Sequence, residues 1–141
     1  MAGERVLIVE DNEKNMKLVR DILQAVGYTP IEASSGEEAI ALATDEAPAV
    51  VLMDIQLPDL DGAAALQRLR ADERTARVPV LALTAQAMQG DRERFLAAGF
   101  DGYLSKPINP IALQQELERL LSNGSPERDP ENRADIARQG N

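Results

Sequence analysis

The chain contains no cysteine, no histidine and no tryptophan. Without thiols it can form neither a disulfide framework nor a thiolate metal site, which fits a reducing compartment. Without imidazoles it has no side chain to act as a histidine base, to bind zinc through nitrogen or to carry phosphohistidine, so any such chemistry must involve a second protein. No apolar stretch reaches transmembrane length, so no membrane association is expected. The opening residues, Met1-Ala2-Gly3-Glu4-Arg5, run directly into a candidate strand, so no signal peptide is expected and the expected compartment is the cytoplasm. Positive charge is in the minority: 15 Lys and Arg against 24 Asp and Glu give a net charge of -9, with the basic residues scattered among acids. Nucleic acid is therefore not an expected partner. At 141 residues, one domain able to bury a normal core is the default.

Strand-length apolar runs alternate with stretches of helical period. Val6-Leu7-Ile8-Val9 lies in the first strand, and Met16, Val19, Ile22, Leu23 and Val26 follow at helical spacing up to a capping Gly27. Tyr28 to Glu32 reads as a second strand, and its Pro30 suits a sheet edge. Ser35-Gly36-Glu37-Glu38 has the spacing of a capping box and opens a second helix. Val50-Val51-Leu52-Met53 lies in the third strand, and Asp61 before Gly62 is placed to cap a helix carrying Leu66 and Leu69. Val80-Leu81-Ala82-Leu83 lies in the fourth strand, which Pro79 tolerates only near its start. A loop with Gly90 leads to a helix with Phe95 and Leu96, closed by Gly99, and a short fifth strand follows. Asn109-Pro110 reads as N-cap and first-turn proline of a last helix with Leu113, Leu117, Leu120 and Leu121.

Five βα units in succession predict an α/β fold, a doubly wound parallel five-stranded sheet with helices on both faces. Strands one, three and four are apolar on both faces and belong inside; strands two and five are mixed and belong at the edges. Right-handed crossovers then give the order 2-1-3-4-5, the flavodoxin-like arrangement, with a switch point between strands one and three where ligands bind. The domain is expected to span residues 1–121. From Ser122 the composition is that of a linker followed by polar sequence, so 122–141 is expected to be a mostly disordered tail.

The three interior runs end at Glu10-Asp11, at Asp54 and at Thr84, and Lys106-Pro107 follows the fifth strand. Neighbouring parallel strands would gather these residues at one crevice. Crowded carboxylates repel one another unless a cation relieves them. Mg²⁺ takes oxygen ligands and keeps several waters, so Asp11 and Asp54 are the expected direct ligands, Glu10 one acting through water, and the Gln56 carbonyl the remaining protein ligand. A carboxylate can also attack phosphorus, and Asp54, ending the central strand, is the candidate for that role. Lys106, the Thr84 hydroxyl and the Ile55 and Ala85 N–H groups are the expected compensation for phosphoryl oxygens. Singly, each residue has an ordinary alternative: Asp11 or Asn12 as a helix cap, Asp54 as a turn acid, Thr84 as a local hydrogen-bonder, Lys106 as a solvated cation, Tyr103 as edge-strand packing.

On these residues the chain resembles the receiver domain of two-component response regulators over about residues 4–121. The matching segments are Val6 to Asn12, Leu52 to Pro58, Leu83-Thr84-Ala85 and Lys106-Pro107, in the family's order and spacing. Glu10 to Met16, Ala85 to Asp91 and Lys106-Pro107-Ile108 look particularly like single-domain regulators of the DivK type. The resemblance implies that Asp54 accepts phosphate from a histidine of a sensor kinase or phosphotransfer protein. Glu10 and Asp11 would form the acidic pair for Mg²⁺, and Thr84 and Lys106 would bind the phosphoryl group. Tyr103 would move with Thr84 between inactive and active states, and Gln56 and Gln86 would tune dephosphorylation. It further implies a monomer or weak dimer that binds a downstream protein through the face of helix four, strand five and helix five. Helix one, with Asn15, Met16 and Val19, is a candidate kinase-docking surface.

Four other functions compete. An intermediate phosphate shuttle in a multistep phosphorelay would use the same site. A haloacid-dehalogenase-type phosphatase would carry a second acid two residues after the nucleophile, where this chain has Gln56. A phosphate-independent pseudo-receiver conflicts with the intact Asp11, Asp54, Thr84 and Lys106 set. A flavin protein of the same topology would need a phosphate-cradling Gly/Ser/Thr run after strand one, which is missing.

Overall fold

The computed structural model describes residues 3–85 and 90–123. In chain order the elements are β1 (Arg5–Val9), α1 (Glu13–Ala25), β2 (Thr29–Ala33), α2 (Gly36–Glu46), β3 (Val50–Asp54), α3 (Gly62–Ala71), β4 (Val80–Thr84), α4 (Asp91–Ala98), β5 (Gly102–Ser105) and α5 (Pro110–Asn123). The five strands form one sheet in the order β2-β1-β3-β4-β5, parallel throughout, as the pattern of apolar and mixed strands predicts.

The pleat divides the interior strands between two cores, because successive side chains point to opposite faces. Val6, Ile8, Val50, Leu52, Leu81 and Leu83 pack with Met16, Val19 and Leu23 of α1 and Leu113, Leu117 and Leu120 of α5. Leu7, Val9, Val51, Met53, Val80 and Ala82 pack on the other side with α2, α3 and Phe95 of α4. Every residue of β3 and β4 is buried, as in a parallel sheet covered on both faces. Pro30 sits on the edge strand β2, opposite Val6, where its missing N–H interrupts no further ladder.

Side-chain caps fix where the helices begin. Asn12, rather than Asp11, caps α1 by accepting from Asn15 N at 3.0 Å. Asp61 accepts from Ala64 N at 2.7 Å and opens α3; Asn109 accepts from Ile111 N and Ala112 N and opens α5. At α2, Ser35 Oγ accepts from Glu38 N at 3.1 Å, but the Glu38 carboxylate reaches Ser34 N at 2.8 Å rather than Ser35 N, so the expected capping box closes one residue early. Asp59 adds a cap from outside the helix: its Oδ1 accepts from Gly36 N at 2.8 Å and its Oδ2 from Glu37 N at 2.9 Å.

Helix α5 continues through Asn123, two residues beyond the expected domain boundary at 121, because Leu120 and Leu121 still pack against the core and carry the last turn with them. The remainder of the expected tail, 124–141, and Gln86 lie outside the described residues. Among the described residues no helix is long and apolar enough to cross a membrane.

Candidate functional site

Parallel pairing brings the strand ends to one rim. Met53 pairs with Val9 and Asp54 with Leu83, so Glu10 and Asp54 both lie at the carboxyl edge of the sheet, next to the end of β4 at Thr84. Two backbone hydrogen bonds extend the pairing past the strands: Glu10 N to Ala33 O at 3.0 Å, and Lys106 N to Thr84 O at 2.7 Å. The Lys106–Pro107 peptide bond is cis.

The side chains converge. Lys106 Nζ lies 2.8 Å from Glu10 Oε1 and 2.9 Å from Asp54 Oδ2. Glu10 and Asp54 are buried, at 2% and 5% exposure, whereas Asp11 is open to solvent. One carboxylate oxygen each from Glu10, Asp11 and Asp54 lie within 4.8 Å of one another. Glu10 Oε2 accepts from Asn12 N at 3.1 Å, and Asp54 Oδ1 accepts from Gln56 N at 3.0 Å. Burial pushes the Glu10 carboxyl up, and the nearby Asp54 charge adds to this; Lys106 and the Asn12 N–H oppose it without prevailing. For Lys106, burial acts to lower the pKa, but Glu10 and Asp54 together hold it above the ordinary ammonium value.

The donor set fits a divalent cation. Three carboxylates face one lysine, leaving excess negative charge, and one of them is exposed, so a hydrated ion can approach. Glu10 Oε1 is buried and accepts no aligned hydrogen bond; the Lys106 charge is its only compensation among the described residues. All-oxygen ligation with an open side is what Mg²⁺ takes.

Two recesses flank the rim. One, of about 240 Å³, is lined by Glu10, Asp11, Glu13, Met16, Glu32 and Glu38 among others and lies toward β2. The other, of about 320 Å³, is lined by Asp54, Ile55, Gln56, Thr84, Ala85, Arg94 and Phe95. This second recess gathers the phosphoacceptor candidate with four of the other residues singled out in the sequence. The Ile55 N–H, expected to face a phosphoryl group, donates instead to Leu83 O at 3.0 Å, because the β3–β4 ladder runs one residue past the strand end. The N–H aimed at Asp54 is that of Gln56. Tyr103 is opposite Ala82 on β5, two residues short of Thr84 on the facing strand, and its ring is 5.5 Å from that of Phe95.

Three contributors to the site were not read from sequence. Arg94 lines the recess beside Asp54, although its position on a polar helix gives no local signal. Asp59 pins the loop after β3 to the start of α2. Gly62 lets α3 close on the backbone of Asp54 and Ile55: an ideal Cβ there would sit 2.8 Å from Asp54 O and 2.9 Å from Ile55 Cα. A glycine directly after an N-cap that does not need one was the available sign.

The response regulator receiver domain family matches residues 6–118. The polar-differentiation response regulator DivK of Brucella ovis is 50% identical over 118 residues, covering 84% of this chain and 96% of that protein. Among solved structures, the receiver domain of sensor histidine kinase PA1611 from Pseudomonas aeruginosa, with a magnesium ion coordinated in its active site cleft, is 41% identical with a TM-score of 0.79, over 86% of this chain and all of that one. The chemotaxis response regulator CheY4 of Vibrio cholerae is 31% identical with a TM-score of 0.77, over 86% of this chain and 99% of that one. Sheet order, acidic rim and similarity over most of the chain agree, and the chain belongs to the response regulator receiver domain family of two-component signalling and is similar to DivK response regulators over most of its length.

Proposed function

We propose that this protein is a phosphoacceptor switch in which Asp54 takes the phosphoryl group of a phosphohistidine on a sensor kinase or phosphotransfer protein. The observation that carries this reading is the placement of Lys106 Nζ against both Glu10 and Asp54, with Asp54 lining a recess together with Thr84 and Ala85. An Asp54 carboxylate oxygen attacks phosphorus, the P–N bond to the partner imidazole breaks, and an acyl phosphate remains on Asp54. Lys106 steadies the incoming oxygens, and Thr84 and the Ala85 N–H donate to them; the Gln56 N–H already donates to Asp54. Glu10, Asp11, Asp54 and the Gln56 carbonyl would hold Mg²⁺, which supplies charge neutralisation when bound. The protein is not an enzyme on this reading, though its own groups assist both gain and loss of phosphate.

Thr84 and Tyr103 transmit the change. Tyr103 packs on Phe95 of α4, so drawing Thr84 toward the phosphoryl group biases the α4–β5–α5 face between two arrangements. That face meets the downstream protein, and α1 meets the phosphodonor. The cytoplasm is the proposed location. The likeness to a receiver from a sensor histidine kinase supports a second use of the same chemistry, as an intermediate shuttle in a phosphorelay.

Incubation with acetyl phosphate and Mg²⁺, followed by intact-mass measurement, tests the reading. The expected result is a single acid-labile and hydroxylamine-labile phosphate in the wild type and none in Asp54→Asn. Persistent label on the mutant would move the site elsewhere.

A further inference from the structure

Charge balance at the acidic rim leaves a role unfilled. Glu10, Asp11 and Asp54 cluster together, and among the described residues Lys106 is the one ammonium paired with them, through Glu10 and Asp54, so two negative charges remain, which a divalent cation offsets. An acyl phosphate on Asp54 carries roughly two charges where the carboxylate carried one. The phosphorylated site is therefore short of one positive charge, and Lys106 is already shared between two carboxylates.

Among the described residues, Arg94 is the cation that lines the recess beside Asp54, together with Gln56, Thr84 and Ala85. One terminal nitrogen, Nη2, is held by Asp91 Oδ1 at 2.6 Å, and the guanidinium lies 5.3 Å from the Phe95 ring centroid. Asp91 is buried, at 1% side-chain exposure, whereas the Arg94 side chain is 67% exposed, so a fixed anion tethers a cation with room to turn. A guanidinium offers five N–H donors in a planar fork, enough to keep Asp91 and reach phosphate oxygens as well.

We infer that Arg94 is a phosphoryl-binding residue, oriented by Asp91, which closes on the Asp54 phosphoryl group from the α4 side of the recess. This rests on the phosphoacceptor reading above. It also gives α4 a direct sensor of phosphorylation: Arg94 adjoins Phe95, and Phe95 packs on Tyr103.

The test compares wild type, Arg94→Met and Arg94→Lys in the full-length protein, using beryllofluoride with Mg²⁺ as the phosphoryl mimic and Mg²⁺ alone as control. Arg94→Met is expected to weaken beryllofluoride binding about fivefold at low ionic strength, as a largely exposed charge contact allows, with the deficit shrinking as salt screens it. Arg94→Lys, which keeps the charge and loses the fork, falls between. Mg²⁺ alone should bind the Met variant no more weakly than the wild type, since removing a cation cannot repel another. Equal beryllofluoride affinity in all three proteins overturns the assignment, and so does a parallel loss of Mg²⁺ affinity, which marks a distorted cradle. If wild type takes neither beryllofluoride nor acetyl phosphate label, the phosphoacceptor reading itself has failed.

Discussion

Lys106 Nζ is 2.9 Å from Asp54 Oδ2, and the same nitrogen neutralises the buried Glu10. The lysine thus supports the fold as well as the chemistry. Lys106→Ala leaves two buried carboxylates without their cation, and breaking such a pair from one side costs about 3 kcal/mol. We expect lower stability in urea without Mg²⁺, and a larger Mg²⁺-dependent gain in the variant than in the wild type, because the ion then supplies charge that the lysine no longer does. Mg²⁺ binding itself should persist while the response to phosphate weakens. Equal Mg²⁺-dependent stabilisation of the two proteins would show that Lys106 contributes little to this balance.

Asp59 gives a pH dependence of defined sign. The N–H groups of Glu37 and Gly36 hold its carboxyl below the usual carboxylate range. A depressed folded-state pKa contributes stability that is present above the unfolded value, near 4, and is lost as pH falls through the folded one. Asp59→Ala should therefore melt a few degrees lower than wild type at pH 7, and the two melting curves should approach each other at the acid end. A difference in Tm that is constant across the acid range would contradict the cap.

Much of the fold was legible because its signals were local or periodic. Val50 to Met53 and Val80 to Leu83 are apolar on both faces, which only interior strands require, and Asp61 and Asn109 are caps readable from the next few residues. Glu10, Asp11, Asp54, Thr84 and Lys106 could be singled out together because each ends or closely follows a strand, so topology alone brings them to one rim. What escaped was set by distant partners. Asp59 caps a helix 22 residues earlier in the chain, Ile55 N–H is taken by a neighbouring strand, and Arg94 meets the recess only through the placement of α4. No window of sequence contains those relationships.

Ala47 closes α2 in the left-handed conformation, with φ 47°, and is exposed. A non-glycine residue there costs about 1 kcal/mol through the clash of Cβ with the following carbonyl. Glycine removes the clash but frees the unfolded chain, so the net gain of Ala47→Gly is expected to be about 0.5 kcal/mol. Chemical denaturation should show a raised midpoint with an unchanged slope. A lowered midpoint would mean that unfolded-state entropy outweighs the strain.

Gly62 reverses the usual effect of the same pair of residues. In an unobstructed helix interior, replacing glycine by alanine gains about 1 kcal/mol. Here the new Cβ would lie 2.8 Å from Asp54 O and 2.9 Å from Ile55 Cα, both backbone atoms that cannot swing aside as a flexible side-chain end can. The Gly62 N–H also donates to Ile55 O at 2.8 Å, so a shift of α3 strains the loop that presents Gln56. Overpacking of this kind costs about 1–3 kcal/mol, which exceeds the helix-propensity gain. Gly62→Ala should therefore lower the urea midpoint, and because the displaced atoms belong to the backbone of Asp54, the proposed phosphoacceptor, and its neighbour Ile55, acetyl phosphate labelling should slow even at temperatures where the variant is fully folded. Stabilisation with unchanged labelling would show that α3 has room to retreat and that Gly62 does not position Asp54.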